Sequence, residues 1–356
     1  MTDDNFFIPV SALDMPRFAG MPSFMRLPHL EMDSPRIGDV EMGLVGVPWD
    51  AGTTNRPGPR HGPRQLRDLS TMIRAMNPVT GVNPFNLVNC ADLGDVGPNP
   101  IDLDDSMTRI AAFYAHLTAR GIAPMTAGGD HLVSLPVLRG IAASTPVGMI
   151  HFDAHTDLFD SYFGGFRYTH GTPFRRAIEE GLLDPKRVVQ IGIRGTAYNT
   201  EDVDWGIEQG VRIIRIEELF DRGIPSVMEE ARAIVGRAPT YCSFDIDFID
   251  PSFAPGTGTP EIGGVTSFQA QQVVRELSGV NLVGADLVEV SPPFDAAGGT
   301  AWIGVSIMFE LMCVLAEAIA ARRGGYGQGR SLCRRAEHAL RPCRCGRRRL
   351  SAEASV

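Results

Sequence analysis

Val147 to Asp157 reads VGMIHFDAHTD, and its first six residues have the marks of a buried strand: short, mostly apolar and preceded by Pro146. The run leads into Asp153, His155 and Asp157 at a spacing of two. In an extended chain alternate side chains share a face, so this spacing predicts two carboxylates and an imidazole pointing one way. Such groups repel or stay unsatisfied unless a cation sits among them, and a divalent metal answers that need. Working outward, Tyr241 to Asp247 (YCSFDID) repeats the arrangement with Asp245 and Asp247. The apolar run Ile122 to Ala127 ends in Gly128-Gly129-Asp130-His131. His131, Asp153, His155, Asp157, Asp245 and Asp247 thus offer two imidazoles and four carboxylates. Two divalent ions would balance the four negative charges, with Asp153 and Asp245, each first in its motif, as bridges. An oxygen-rich set with some imidazole suits manganese, and imidazole also suits nickel.

Strands and helices alternate along the rest of the chain. Expected strands are Glu41–Val47, Phe85–Ala91, Ile122–Ala127, Val147–Asp153, Arg187–Ile193, Ile213–Ile216, Thr240–Asp247 and Asn281–Val290. Expected helices are Arg64–Met72, Asp105–Arg120, Ser134–Ala142, Thr172–Glu180, Asp202–Gln209, Ser267–Leu277 and an amphipathic closing helix, Trp302–Ala321. Nothing is assigned between residues 217 and 239. The alternation predicts βαβ units and an α/β fold with a mostly parallel sheet covered on both faces. Ligands of such sheets collect beyond the carboxyl ends of the strands, where all six candidate ligands fall. The Gly/Pro-rich loop Gly52–Pro63 lacks the glycine spacing of phosphate-binding loops and reads as a rim loop.

At 356 residues, with 44% hydrophobic residues and a mean hydropathy of -0.02, the chain is expected to be globular with a large core. We divide it into an N-terminal arm (1–35), a catalytic domain (36–322) and a C-terminal tail (323–356). No signal-peptide pattern or long uninterrupted apolar run is apparent, so the expected location is cytoplasmic, with no membrane partner. Cys90, Cys242 and Cys313 show no disulfide spacing. The net charge of -9 argues against nucleic acid as the main partner and suits a small cationic substrate. Arg322 to Val356 holds ten arginines against two glutamates, so this end carries +8 and the remainder -17. The tail reads as disordered.

GGDH (128–131), DAHTD (153–157) and SFDIDFIDPSFAPGTGTPEIGG (243–264) resemble the ureohydrolase superfamily of arginases and agmatinases, over about Glu41 to Ala320. THGTPFRRA (169–177), IGIRG (191–195) and DLVEVSPPFD (286–295) look like its agmatinase and guanidinobutyrase branch. The resemblance implies an arginase-like, three-layer α/β/α fold around an eight-stranded sheet. It further implies two Mn2+ ions per chain, with Ni2+ as the alternative, and assembly into a homo-oligomer, trimer or hexamer. By the same resemblance His131 and Asp157 bind one metal, His155 and Asp247 the other, and Asp153 and Asp245 span both. His170 takes the place of a proton-shuttling histidine and Glu289 that of a guanidinium-binding carboxylate. For the chemical step we expect Asp247 or another ligand to take the proton of the attacking hydroxide. Asp130 and His151 support the ligands rather than bind. The implied reaction cleaves a C–N bond of a guanidino compound, of agmatine or guanidinobutyrate type, to urea and an amine.

Several positions depart from that pattern. Leu132, Leu158, Trp49 and the aromatic segment LFDSYFGGFRYT (158–169) predict a more apolar pocket, suited to an N-alkylated guanidine or a biguanide such as metformin, which would release an alkylamine. Asp160 and Arg167 are candidates for reading a charged substrate tail. The rival to an enzyme is a structural or regulatory subunit in a hetero-oligomer with a paralogue. Loss of a ligand would mark it, and none of the six is lost.

Overall fold

The computed structural model describes residues 5–324; the Arg/Cys-rich tail lies outside them. Eight strands form one sheet: β1 (Met42–Gly46), β2 (Cys90–Asp95), β3 (Ala123–Ala127), β4 (Val147–Phe152), β5 (Leu183–Ile193), β6 (Arg212–Arg215), β7 (Thr240–Asp245) and β8 (Leu282–Val288). Their order is β2-β1-β3-β8-β7-β4-β5-β6, and every pairing is parallel. The sheet is therefore wholly rather than mostly parallel. Because both faces are covered, the strands are near-continuous apolar runs whose alternate residues feed two separate cores. Met125, Ile150, Phe152, Cys242 and Phe244 enter one core; Val45, Met149, Val188 and Tyr241 enter the other.

The first core is closed by α1 (Gly62–Ser70), α6 (Ile216–Arg222), α7 (Ile224–Val235), α8 (Ser267–Arg275) and α9 (Gly299–Arg323). The second is closed by α2 (Leu103–Ala119), α3 (Ser134–Ile141) and α4 (Pro173–Glu179), with α5 (Glu201–Gln209) at its margin. Local chemistry sets the helix starts. The Asp102 side chain accepts from the Asp105 amide ahead of α2, and Thr266 with Gln269 forms a reciprocal capping box on α8. Prolines open α1, α4 and α7, where a missing N–H costs nothing.

Four expectations need correction. The second strand is Cys90–Asp95, not Phe85–Ala91; residues Pro84–Asn86 form a 3-10 turn capped by the Asn83 side chain. Residues 217–239, for which no element is expected, carry most of α6, which starts at Ile216, and all of α7. α9 is not amphipathic: it is apolar nearly all round and mostly buried, packing on β8, α1 and α8. Among the described residues it is the one helix long and apolar enough to cross a membrane, by length and composition alone. Finally, of the residues expected on an extended face, all but Asp245 lie past the strand ends. β4 stops at Phe152 and β7 at Asp245, and Asp247 sits in the 3-10 turn Ile246–Phe248.

Candidate metal centre

The carboxyl ends of β3, β8, β7 and β4 are neighbours at the middle of the sheet, although these strands are far apart in sequence. His131 follows β3, Glu289 follows β8, Asp245 ends β7 with Asp247 in the turn after it, and Asp153, His155 and Asp157 follow β4. Two backbone features let the chain turn tightly here. A Cβ at Gly129 would lie 1.7 Å from the Trp49 carbonyl oxygen, so only glycine fits. Asp157 has φ 53 and Glu289 φ 63, a left-handed conformation that side-chain-bearing residues adopt at a cost and that clusters at functional sites.

Six side chains predicted to bind metal come together around two poles. His131 Nδ1 lies 3.1 Å from Asp153 Oδ2, 3.0 Å from Asp157 Oδ2 and 3.1 Å from Asp245 Oδ2. None of the three is aligned for a hydrogen bond, and Nδ1 is left buried without a partner. Ligand atoms held at right angles about 2.1 Å from one octahedral ion are about 3 Å apart, so the spacing is that of donors converging on a shared point. At the other pole His155 Nδ1 is 3.1 Å from Asp247 Oδ2 and 3.4 Å from Asp153 Oδ1. Asp247 Oδ2 also lacks a hydrogen bond. Asp153 faces both histidines, one oxygen to each. Asp245 reaches His131 with one oxygen and accepts the Asp247 amide with the other.

Electrostatics point the same way. Burial opposes charge on His131, but contacts with Asp153, Asp157 and Asp245 outweigh it and hold its pKa well above the ordinary value. Burial, then the neighbouring Asp247 and Asp153, push the Asp245 carboxyl well above the usual range. The cluster holds more negative charge than its surroundings can solvate and favours a positive centre between its carboxylates.

Surrounding groups fix the imidazoles. His131 Nε2 lies 2.8 Å from Ser243 Oγ, which donates to Asp286 Oδ1 at 2.7 Å. Since the carboxylate only accepts, the serine accepts from Nε2–H, which leaves the Nδ1 lone pair facing Asp153, Asp157 and Asp245. Ser134 and Tyr241 donate to the other oxygen of Asp286. His151 is hydrogen-bonded at both ring nitrogens: Gln190 donates to its Nδ1, so its Nε2–H donates to Asp153 Oδ2 at 2.8 Å. Asp130 also faces away, accepting from the amides of Gly52 and Leu132. Ser243, Asp286 and Gln190 were missed in the sequence. Asp286 and Ser243 sit inside apolar strands, and only their register, Ser243 opposite Asp286, reveals the relay.

Beside the cluster, Glu289 Oε1 accepts from the His131 amide and from His170 Nδ1, each at 2.9 Å. Its Oε2 is buried without a partner. At the other edge of His170, Nε2 receives the Thr54 amide at 3.2 Å and lies 2.8 Å from Thr54 Oγ1. A cavity of about 540 Å³ opens over this floor, lined by His131, His155, Asp157, His170 and Glu289, with Phe159, Tyr162 and Tyr198 on its walls.

The residues singled out for substrate choice fare differently. Leu132, Leu158 and Trp49 are fully buried in the core and do not line the cavity, so they supply no apolar pocket. Asp160 pairs with Arg176 and Arg167 with Glu179, and neither reaches the cavity.

Known proteins resemble this chain in sequence and in fold. A profile of the arginase family matches residues 40–314. The guanidinopropionase of Pseudomonas aeruginosa is 56% identical over 88% of this chain and 97% of its own length, and the guanidinobutyrase of the same organism is 46% identical over 88% and 98%. Among solved structures, the proclavaminate amidinohydrolase of Streptomyces clavuligerus superposes with a TM-score of 0.80 at 38% identity, covering 85% of this chain and 99% of that one. A profile match across most of the chain, joined to relatives aligned along nearly their whole length, leaves one conclusion: the chain belongs to the arginase family.

Proposed function

We propose that this protein is a binuclear-metal hydrolase that cleaves a guanidino compound to urea and an amine, with manganese as the metal. The observation that carries the reading is the bare His131 Nδ1 facing three carboxylate oxygens at 3.0–3.1 Å, a donor set built for a hard divalent ion. His131, Asp153, Asp157 and Asp245 would hold one ion, and Asp153, His155 and Asp247 the other. When bound, the ions supply a water-derived nucleophile at neutral pH and balance the carboxylate charge.

The chain's own groups do the rest. A guanidinium carbon is a poor electrophile because its charge is delocalised over three nitrogens, so orientation matters. Glu289 Oε2, buried and unpaired, accepts N–H from the guanidinium and holds its carbon over the cluster. Asp247 Oδ2, also without a hydrogen bond, takes the proton given up by the attacking water. His170, fixed through Nδ1 by Glu289, delivers a proton from Nε2 to the departing amine. Carbon gains the oxygen, the bond to the substituted nitrogen breaks, and urea and an amine leave. The relatives' names, guanidinopropionase, guanidinobutyrase and agmatinase, support a linear guanidino substrate.

The test is to load the purified chain with Mn2+ or Ni2+, count bound ions by elemental analysis, and assay urea from 3-guanidinopropionate, 4-guanidinobutyrate, agmatine and arginine. About two ions per chain with urea release is expected. A folded protein that takes up neither metal and releases no urea would belong instead to a non-catalytic partner subunit.

A further inference from the structure

We propose that Arg56 reads the far end of the substrate, pairing with a carboxylate on the tail, so that the site selects guanidino acids over guanidino amines. The proposal rests on the hydrolase reading and adds to it a residue and a substrate class. Arg56, Arg194 and Arg215 are the arginines lining the cavity. Arg194 is committed elsewhere: its donors go to the backbone carbonyls of Gly192, Asp247, Phe248, Glu261 and Ile262, clamping the loops together. Among the described residues no carboxylate pairs with Arg56. Its guanidinium lies 3.8 Å from the centre of the Phe294 ring. Stacking on the ring face leaves the in-plane N–H fork free, the edge that binds a carboxylate with two parallel hydrogen bonds.

Its placement relative to the reacting end is fixed by the chain on both sides. Two residues earlier, Thr54 meets His170 Nε2. Two residues later, the Gly58 amide donates to Asp50, and a Cβ at Gly58 would lie 2.4 Å from Ser291 Oγ, so this loop is pressed on the turn after β8. That turn carries both Phe294, the platform for Arg56, and Glu289, the acceptor for the guanidinium. Gly258 measures how close the two come: a Cβ there would be 3.2 Å from the Arg56 carbonyl oxygen and 3.6 Å from Glu289 Oε2. A substrate held at Glu289 by its guanidinium therefore extends its tail along the segment that carries Arg56. The cavity also contains Glu261, which would favour an amine tail, but Glu261 lies against Gly195, on the Arg194 side.

The experiment compares kcat/KM of the manganese-loaded enzyme for 3-guanidinopropionate, 4-guanidinobutyrate, their uncharged carboxamides and agmatine, in the parent and in R56A, R56Q, R56K and R215A. The parent is expected to favour each acid over its carboxamide. R56A and R56Q should shrink that ratio by about tenfold to a hundredfold, mostly through KM, as loss of a charged hydrogen bond implies. R56K should recover part of it and R215A should keep it. Thermal melting and metal content establish that the variants are folded, with R56Q standing in should R56A not fold. An unchanged ratio in R56Q, a loss in R215A instead, or a parent that prefers agmatine would overturn the assignment of Arg56 while leaving the hydrolase reading intact. A metal-loaded parent that hydrolyses none of these compounds would overturn both.

Discussion

His170 is held at both ring nitrogens, by Glu289 at Nδ1 and by Thr54 at Nε2. Burial alone would lower its pKa, but the Glu289 carboxylate outweighs burial and lifts it to about 9. The Thr54 amide pointing at Nε2 suits the neutral ring, so a proton arriving there must displace that contact. The ring is thus poised between states, as a group that receives and delivers a proton should be. Replacing His170 by Asn should lower kcat about a hundredfold or more, the usual worth of a positioned acid, with bound metal unchanged; retained turnover would remove His170 from the chemistry. Linkage gives a second readout in metal-free protein. A folded-state pKa above the unfolded value means that the folded chain binds more protons between the two, so this stabilisation is complete below about pH 6.5 and lost as pH rises through about 9. The difference in Tm between parent and His170→Asn should therefore narrow from about pH 6 to about pH 10. A difference that does not change with pH would mean the pair is uncharged. At this scale the clustering of the six side chains was legible, because carboxylates and histidines at strand ends have few other uses. Arg56 was not, because a lone arginine in a Gly/Pro-rich loop acquires meaning only from the ring beneath it and the acceptor beside it.

The carboxyl ends of β3, β8, β7 and β4 build the centre, and their adjacency was not legible in the sequence. Apolar runs predict that strands exist, but the crossovers decide which strands are neighbours. The same limit misplaced β2: Phe85 and Val88 are buried like strand residues, yet Pro84 and the Asn83 cap hold that stretch in a 3-10 turn. Spacing of two in DAHTD and DID brings together the side chains it was expected to, but tight turns rather than an extended strand aim them. Register matters as much as order. The β7–β8 ladder sets Ser243 opposite Asp286, and through Ser243 the Asp286 carboxylate fixes the tautomer of His131. Asp286→Asn keeps the shape but removes the acceptor charge that directs the serine proton. Affinity for the first metal should fall about tenfold to a hundredfold while the sheet stays intact, as seen by metal titration and circular dichroism. Unaltered affinity would show that the relay does not tune the ligand.

At the scale of the molecule, two apolar cores press on one sheet, and the sheet carries its charged groups at one end. Asp153, Asp157, Asp245 and Asp247 are all buried, at 0%, 6%, 2% and 1% exposure, within reach of two histidines. Burying that many carboxylates costs stability unless positive charge accompanies them, and the molecule accepts that cost because the cores on either side are large. Bound ions should return part of it. An ion present at about a hundred times its Kd contributes about 2.7 kcal/mol to the folded state. In a chain of this size that corresponds to a rise in Tm of about 4 °C for each ion, or on the order of 7 °C for a centre filled by two. Melting the protein after chelation, and again after restoring Mn2+, measures this directly. The rise should depend on metal concentration and should shrink in Asp153→Asn, because Asp153 alone faces both histidines. A melting temperature indifferent to metal would mean that the carboxylates are protonated or otherwise balanced, and that the cluster stabilises itself without the ions that its geometry suits.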